Sequence, residues 1–191
     1  MRKLLIALSA MGIMLFTSGC TAMKMGTTFM GFEPETQEAY AKMMEVVDES
    51  GDPAKAMMIE FEVNEDVSSD EIKEDILPAL AEEYNMRVTG YVNMFTNEEA
   101  KPNEVKNARI WSLCSLHIAK VFLNHSRYFG GFMPCRIMLV EYGDGRRYLV
   151  TMDLTLAIYG GKPLPTEMLE LASKVKVAME EIPARAAKGD F

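Results

Sequence analysis

The feature that constrains this chain most strongly is a glycine-rich turn between two apolar segments. Residues 135–142 and 146–153 are rich in apolar side chains, and the tripeptide Gly143-Asp144-Gly145 joins them. Glycine readily adopts the positive φ that the tight turns of β-hairpins need. The sequence therefore predicts two antiparallel strands here, which makes a β-sheet part of the fold.

Three further segments are predicted strands. Residues 57–63 carry apolar side chains at every second position, and residues 86–94 do so with one interruption at Gly90. Residues 108–114 are apolar on both faces, and the polar run 96–107 before them is a predicted loop. An alternating pattern is typical of a strand with one buried face.

The clearest local signal for a helix is a capping box formed by Ser68 and Glu71, which predicts that a helix begins at Ser69. Its apolar positions recur every four residues. Pro78 lies inside this pattern and predicts a kink, because proline removes a helix hydrogen bond. Asn85 is the predicted end of the helix.

Three more helices are expected from apolar residues at helical spacing. The first covers residues 36–48. The second begins after Ser115, which offers an N-cap, and ends at Gly130-Gly131. The third covers residues 166–182 and is ended by Pro183, so that residues 184–191 are a predicted loose tail.

Together these elements predict an α+β fold. We expect one mixed, mostly antiparallel sheet of about five strands, packed against two to three helices, with an extra N-terminal helix. The chain has 191 residues, which suits one core rather than two. Residues 34–183 are therefore predicted to form a single domain.

The first twenty residues have the pattern of a secretory signal. Arg2 and Lys3 precede thirteen largely apolar residues, too few for a membrane-spanning helix. Residues 17–20, Thr-Ser-Gly-Cys, resemble the lipobox of bacterial lipoproteins. That resemblance implies that residues 1–19 are a signal peptide, that Cys20 is lipidated, and that residues 20–33 are the tether. An ordinary signal peptide that leaves Cys20 unmodified remains the alternative.

The charge balance limits the partners of the chain. Its formal charge is −8, and removal of residues 1–19 with Arg2 and Lys3 lowers this to −10. Such a chain has no broad basic surface, so nucleic acid is not an expected partner. Anionic lipid would repel it, so lipid chains on Cys20 must hold it at the membrane. Because Thr21 rather than Asp follows Cys20, analogy with bacterial lipoproteins favours the periplasmic face of the outer membrane over the inner membrane.

Cys114 and Cys135 are the thiols that remain after Cys20. A disulfide, two buried packing groups and a functional thiol pair all stay open. The order of elements weighs against a disulfide, because the helix after Cys114 should carry the chain away from it before the next strand begins. A functional role, as a redox thiol or as a ligand-binding edge that also includes His117, is suggested by the helix that follows Cys114 and by Arg136 beside Cys135, since positive charge favours the thiolate.

Cys114 and His117 are three residues apart, which also suits a metal. The chain has two histidines in all and no Cys-x-x-Cys motif, so no metal site and no cofactor are predicted. Seventeen methionines, including the pairs Met43-Met44 and Met57-Met58, could serve as soft Cu(I) ligands, but we favour packing on apolar faces. Common catalytic motifs are absent from the sequence, so enzyme activity is undecided and not favoured.

Cys114 stands directly before a predicted helix, and Pro134-Cys135-Arg136 stands at the start of the next predicted strand. With these two motifs, residues 112–151 resemble the domain of unknown function 302 family, whose members share a cysteine before this helix and a Pro-Cys-Arg sequence at the strand entry. The resemblance covers about residues 55–155, and the region from Tyr159 onward departs from the smaller members. It implies an α+β fold with one mixed sheet, often paired as a dimer, and no established activity.

The sequence thus leads to three hypotheses for function. The favoured one is a lipid-anchored binding or accessory module on the periplasmic side, whose ligand or envelope partner is unknown. The second is a thiol-dependent redox protein that uses Cys114 and Cys135, and the third is a structural envelope protein without a ligand. A homodimer through the sheet or the C-terminal helix is compatible with each of them.

Overall fold

The computed structural model describes residues 21–191. The predicted signal peptide, residues 1–19, and the predicted lipidation site Cys20 lie outside the described residues. Within residues 21–191, no helix combines the length and the apolar character that crossing a membrane requires.

The centre of the fold is a five-stranded sheet. Its strands in chain order are β1 (Met58–Glu62), β2 (Arg87–Thr96), β3 (Val105–Cys114), β4 (Cys135–Tyr142) and β5 (Arg147–Met152). In space they follow the order β1-β5-β4-β3-β2, and each neighbouring pair is antiparallel. The predicted α+β fold with about five strands is confirmed, and the sheet is antiparallel throughout rather than mixed.

The hairpin between β4 and β5 forms as the glycines predict. The Tyr142 amide donates to the Arg146 carbonyl at 2.9 Å, and the Gly145 amide donates to the Tyr142 carbonyl at 3.0 Å. Gly145 has a φ of 92°, which favours glycine. At Gly143 a Cβ atom would lie 2.3 Å from the Lys101 carbonyl oxygen, so a neighbouring loop excludes any side chain there.

That neighbouring loop is shorter than predicted. The polar run 96–107 was expected to be loop throughout, but β2 ends at Thr96 and β3 begins at Val105. Thr96 pairs with Asn107 across the two strands, and the Asn107 amide donates to the Thr96 hydroxyl at 3.1 Å. Polar side chains can therefore end a sheet when they satisfy each other's hydrogen bonds.

The described chain also contains seven α-helices. They are α1 (residues 21–30), α2 (Pro34–Ser50), α3 (Ser69–Glu71), α4 (Leu77–Glu83), α5 (Leu116–His125), α6 (Thr155–Tyr159) and α7 (Thr166–Lys188). A π-helical turn (Ile72–Ile76) joins α3 to α4, and a 3-10 segment (Arg127–Phe132) follows α5. α2 is the extra helix that the sequence predicts. α1 occupies most of the predicted tether, and Phe32 after it stacks on Tyr40 of α2 at 5.7 Å between ring centroids.

The predicted kink near Pro78 takes the form of the π-helical turn. The Ser68 hydroxyl accepts a hydrogen bond from the Glu71 amide at 3.0 Å, which confirms the N-cap and the start of the helix. The Leu77 amide then donates to the carbonyl of Ile72, five residues back. A proline ring clashes with the carbonyl of the preceding turn in an α-helix, so a wider turn directly before Pro78 accommodates it. Asn85 ends the helix with a φ of 54°, as predicted.

The predicted start of α5 directly after Ser115 is confirmed, whereas the predicted end at Gly130-Gly131 is wrong. The Ser115 side chain makes no capping hydrogen bond. The helix ends at His125, before the glycines, because the Ser126 hydroxyl accepts a bond from the Tyr128 amide and begins the 3-10 segment. Gly130 and Gly131 therefore lie within that segment rather than at a helix end.

The prediction that Pro183 ends the last helix and leaves a loose tail is also wrong. α7 continues through Pro183 to Lys188 and ends at Gly189, whose φ is 80°. Ala186 and Ala187 are buried, and the Ala187 carbonyl accepts a bond from the Asn64 amide at 2.8 Å. These contacts outweigh the single helix bond that proline removes.

The main core lies on one face of the sheet, under α4 and α7. Its largest fully buried side chains are mostly branched aliphatics: Ile72, Ile76, Leu77, Leu80, Leu113, Ile137, Leu139, Leu149 and Ile182, together with Trp111. The opposite face of the central strands stays partly exposed, including Ile110, Met138, Val140, Val150 and Met152. A smaller cluster around Phe122 and Ile158 packs α5, α6 and the start of α7 together.

Candidate functional site

The two cysteines lie close together, contrary to the expectation from the order of elements. β3 and β4 are antiparallel neighbours, and Leu113 is directly opposite Cys135, so Cys114 is one position further along. The expectation failed because α5 and the 3-10 segment return the chain to the end of the sheet that it had left.

The side chains of the two cysteines nevertheless point to different faces. Successive residues of a strand alternate between faces, so Cys135 shares the core face with Leu113, whereas Cys114 belongs to the opposite face. Cys135 packs against the main core. Both thiols are free. Diverging Cβ directions are incompatible with an unstrained disulfide, which accounts for the absence of a bond between them.

Neither thiol has the lowered pKa that the functional hypothesis requires. Burial raises the pKa of Cys135 to about 11, and nearby Cys114 acts in the same direction. The charge of Arg136 lowers this pKa, but by less than burial raises it. Burial also raises the pKa of Cys114, so the expected effect of the helix that follows is not the dominant one. Both groups therefore favour the neutral thiol, which is a poor nucleophile.

His117 does not join the cysteines in a metal site. It is exposed on the first turn of α5, whereas Cys114 is the last residue of β3. Across residues 21–191 no group of three or more His, Cys, Asp and Glu side chains is arranged to hold a metal ion. Arg136 is exposed and belongs to the sheet face opposite the core.

The chain instead forms a cavity beside α2, which we call the methionine cavity. Its volume is about 340 Å³, and it lies between α2, the start of β1, the end of β5 and α6. Four methionines from three separate parts of the chain line it: Met43, Met57, Met58 and Met152. Ala39, Val46, Ile59, Phe132, Leu156 and Ala157 complete its apolar wall. The volume falls within the range of small-molecule sites.

Two lysines stand out among the polar residues of this cavity. Lys42 and Lys55 both line it, and neither side chain makes an ion pair or a hydrogen bond within residues 21–191. Asp153 also lines the cavity, but its carboxylate accepts bonds from the Thr155 amide at 2.8 Å and the Thr155 hydroxyl at 2.6 Å. The two lysines thus make no ion pair within the described residues, and the Asp153 carboxylate accepts hydrogen bonds from the first residue of α6.

A second cavity adjoins the first. It has a volume of about 270 Å³ and shares Met58, Phe132 and Met152 with the methionine cavity. Met138 and Met179 add two more thioethers to its lining. The sequence pattern places Met43 and Met57 on predicted apolar faces, but residue spacing does not predict that α2, β1 and β5 enclose a common space.

One protein family matches most of the chain. The family model named "Domain of unknown function DUF302" matches residues 59–182, which is more than half of the sequence. This chain belongs to the DUF302 family. The match reaches further than the resemblance at residues 55–155 indicated, because it includes most of α7. α2 lies outside it, so the methionine cavity is enclosed between the DUF302 region and an added helix.

A solved structure supports the fold. The chain is similar to the crystal structure of an uncharacterized conserved DUF302 protein from Bacillus stearothermophilus, with a TM-score of 0.51 and 14% sequence identity. The similarity covers 68% of this chain and 97% of the other. Curated proteins gave no match. At this identity the likeness concerns the fold alone.

Proposed function

We propose that this DUF302 protein is a lipid-anchored binding module on the periplasmic side of a bacterial envelope, with the outer membrane favoured. The observation that carries the proposal is the methionine cavity, because it is an open, mostly apolar space next to unpaired charges. The N-terminal sequence supports the anchor, since Cys20 directly precedes α1. The predicted anchor precedes the DUF302 region, and the cavity lies between that region and the segment that precedes it.

The anchor is tested by metabolic labelling with palmitate in a bacterial host. We expect the full-length chain to incorporate the label and the Cys20→Ser variant to lose it, because only a thiol at the processing site is acylated. Cys114→Ser is the matched control and should remain labelled. Label in Cys20→Ser, or an uncleaved chain in the cytosol, would remove both the anchor and the location from the proposal.

The binding site is tested with an uncharged apolar probe. The full-length protein, labelled at methionine methyl groups with ¹³C and held in phosphatidylcholine nanodiscs, is titrated with decan-1-ol. We expect the methyl resonances of Met57 and Met152 to shift, since both line the cavity. Met43→Trp should fill the cavity and abolish the shifts. Met44→Trp is the control, because Met44 is its exposed neighbour and does not line this cavity.

Unchanged cavity methionines in that titration would favour the structural envelope protein instead. The thiol-dependent redox function is not part of the proposal. Burial raises the pKa of both Cys114 and Cys135, and the two side chains belong to different faces of the sheet.

We also propose that the module forms a homodimer through its sheet. β2 is an edge strand of ten residues that are all exposed, and Val92 at its centre is 55% exposed. Exposed apolar edge strands favour pairing with another strand, and antiparallel pairing of identical edges produces a two-fold dimer. Val92→Glu should yield monomers by light scattering, whereas Val177→Glu on α7 should not. Dissociation by Val177→Glu alone would place the interface on the C-terminal helix.

A further inference from the structure

The ionisable side chains that line the methionine cavity carry more positive than negative charge. The chain as a whole is acidic, with a formal charge of −8. Lys42 and Lys55 nevertheless contribute two ammonium groups to one cavity, against the single carboxylate of Asp153. The lining of the cavity therefore has a net positive charge on a negative protein.

The placement of the two lysines puts these charges at the cavity mouth. Ala39, Lys42, Met43 and Val46 all line the cavity, and their spacing puts them on one face of α2. Lys55 comes from the turn between α2 and β1. Both lysines line the cavity and are exposed, and a lysine in such a position can lay its aliphatic stem on an apolar wall while its ammonium group stays in water.

We propose that the methionine cavity binds an amphipathic anion, namely a carboxylate or phosphate head on a flexible apolar chain. This inference rests on the proposed binding function and names the ligand class. The apolar wall takes the chain, and the two ammonium groups hold the head where it stays partly hydrated. Unbranched thioethers suit a flexible chain, because they repack around ligands of different shape.

The positive charges of Lys42 and Lys55 argue against Cu(I), the other ligand that a methionine-lined cavity could bind. Thioethers are good ligands for Cu(I). The ammonium groups of the two lysines that line the cavity would repel such a cation, and the single carboxylate of Asp153 offsets only part of this repulsion. The combination of apolar wall and cationic rim fits an anion with an apolar tail.

The test compares three ligands with the same chain and different heads. The ¹³C-methionine protein in phosphatidylcholine nanodiscs is titrated with decanoate, decan-1-ol and decylammonium, and the shifts of the Met57 and Met152 methyl groups report binding. We expect decanoate to bind most tightly and decylammonium least. Added salt should weaken the binding of decanoate and leave that of decan-1-ol unchanged.

Substitution of Lys42 and Lys55 tests whether their charges cause the tighter binding of decanoate. Lys42→Gln and Lys55→Gln should each weaken the binding of decanoate by roughly three- to tenfold, as expected for one lost charge near the surface. Neither substitution should change the binding of decan-1-ol. Lys120→Gln on α5 is the control, because Lys120 is exposed and lies outside the cavity. A comparison of the binding of decyl phosphate with that of decanoate shows whether the cavity prefers a phosphate or a carboxylate head. Phosphatidylglycerol in the nanodiscs should compete with decanoate if the anion is a membrane lipid.

The outcomes separate the two proposals. If none of the three ligands shifts the cavity methionines, the binding function itself fails. If decan-1-ol or decylammonium binds as tightly as decanoate, or if both lysine variants bind decanoate normally, the cavity is a binding site but the assignment to an anion is overturned.

Discussion

The core under α4 and α7 and the methionine cavity beside α2 are both apolar, but they use different side chains. The core is filled by branched aliphatics such as Leu149 and Ile137, which are fully buried. The cavity is lined by methionines and by the stems of two lysines. Branched side chains have few rotamers and fix one packing, whereas methionine adapts to what it touches. The first region therefore stabilises the fold, whereas the second leaves space for the ligand that we propose.

The largest effect is expected from a cavity created in the core. Leu149 is 0% exposed in the middle of β5, and Leu149→Ala should lower the free energy of unfolding by about 2–5 kcal/mol. Urea denaturation monitored by circular dichroism measures this. If Leu149→Ala lowers the free energy of unfolding no more than substitution of an exposed methionine by alanine does, the core is not packed more rigidly than the cavity.

A second substitution tests whether the core includes the end of α7. Ala186 is 0% exposed, so Ala186→Leu should overpack the core and cost about 1–3 kcal/mol of stability. Val177→Leu on the same helix is the control, because Val177 is 49% exposed and its enlargement should be nearly neutral. Equal stabilities for the two variants would mean that residues 184–191 are loose after all.

The third prediction uses Cys135, which packs against the core. Burial raises its pKa from 9.0 to about 11. The folded state therefore holds the thiol proton more tightly than the unfolded state, so the stabilisation is complete below about pH 9 and is lost as the pH rises towards 11. At about pH 10.5 the loss is about 2 kcal/mol.

Urea denaturation at neutral and alkaline pH checks this loss. Cys135→Ala removes the titrating group, so its stability should fall less over the same interval. Other groups that titrate in this range are common to both proteins and cancel in the difference. Parallel losses in the two proteins would show that Cys135 is not effectively buried.

The smallest effect on stability is expected in the methionine cavity. Met57 is 45% exposed, so Met57→Ala should change the free energy of unfolding by less than about 0.5 kcal/mol. The same variant should weaken binding of decan-1-ol, because it removes part of the cavity wall. Stability is measured with urea, and binding by the Met152 methyl shift. A large loss of stability would contradict the division between core and cavity.

Local signals in the sequence were sufficient for much of the sheet. The Gly143-Asp144-Gly145 turn and the N-cap at Ser68 were predicted correctly, because each depends on residues within a few positions of one another. Pro183 was misjudged for the opposite reason. Its effect depends on burial of the following turn and on a bond between Asn64 and Ala187, which are far apart in the chain.

The candidate site was less predictable than the fold. The sequence indicated Cys114 and Cys135 as a notable pair, but the β3–β4 register decides that they are close and on different faces. Their burial, rather than the adjacent Arg136 or the helix that follows, sets the direction of the pKa of each thiol. The burial and the pKa of a thiol depend on how many atoms surround it in space. The spacing of residues along the chain does not encode that number.

The alternation of the strands, the hairpin, the start of the helix at Ser69 and the acidic charge can all be predicted from the order of the residues. Each of these follows from backbone preferences and side chains near one another in the chain. The continuation of α7 through Pro183 and the packing of α2 beside β1 and β5 depend instead on contacts between distant segments. The methionine cavity and its unpaired lysines exist because three distant segments meet, and their contact energies depend on distance in space rather than along the chain.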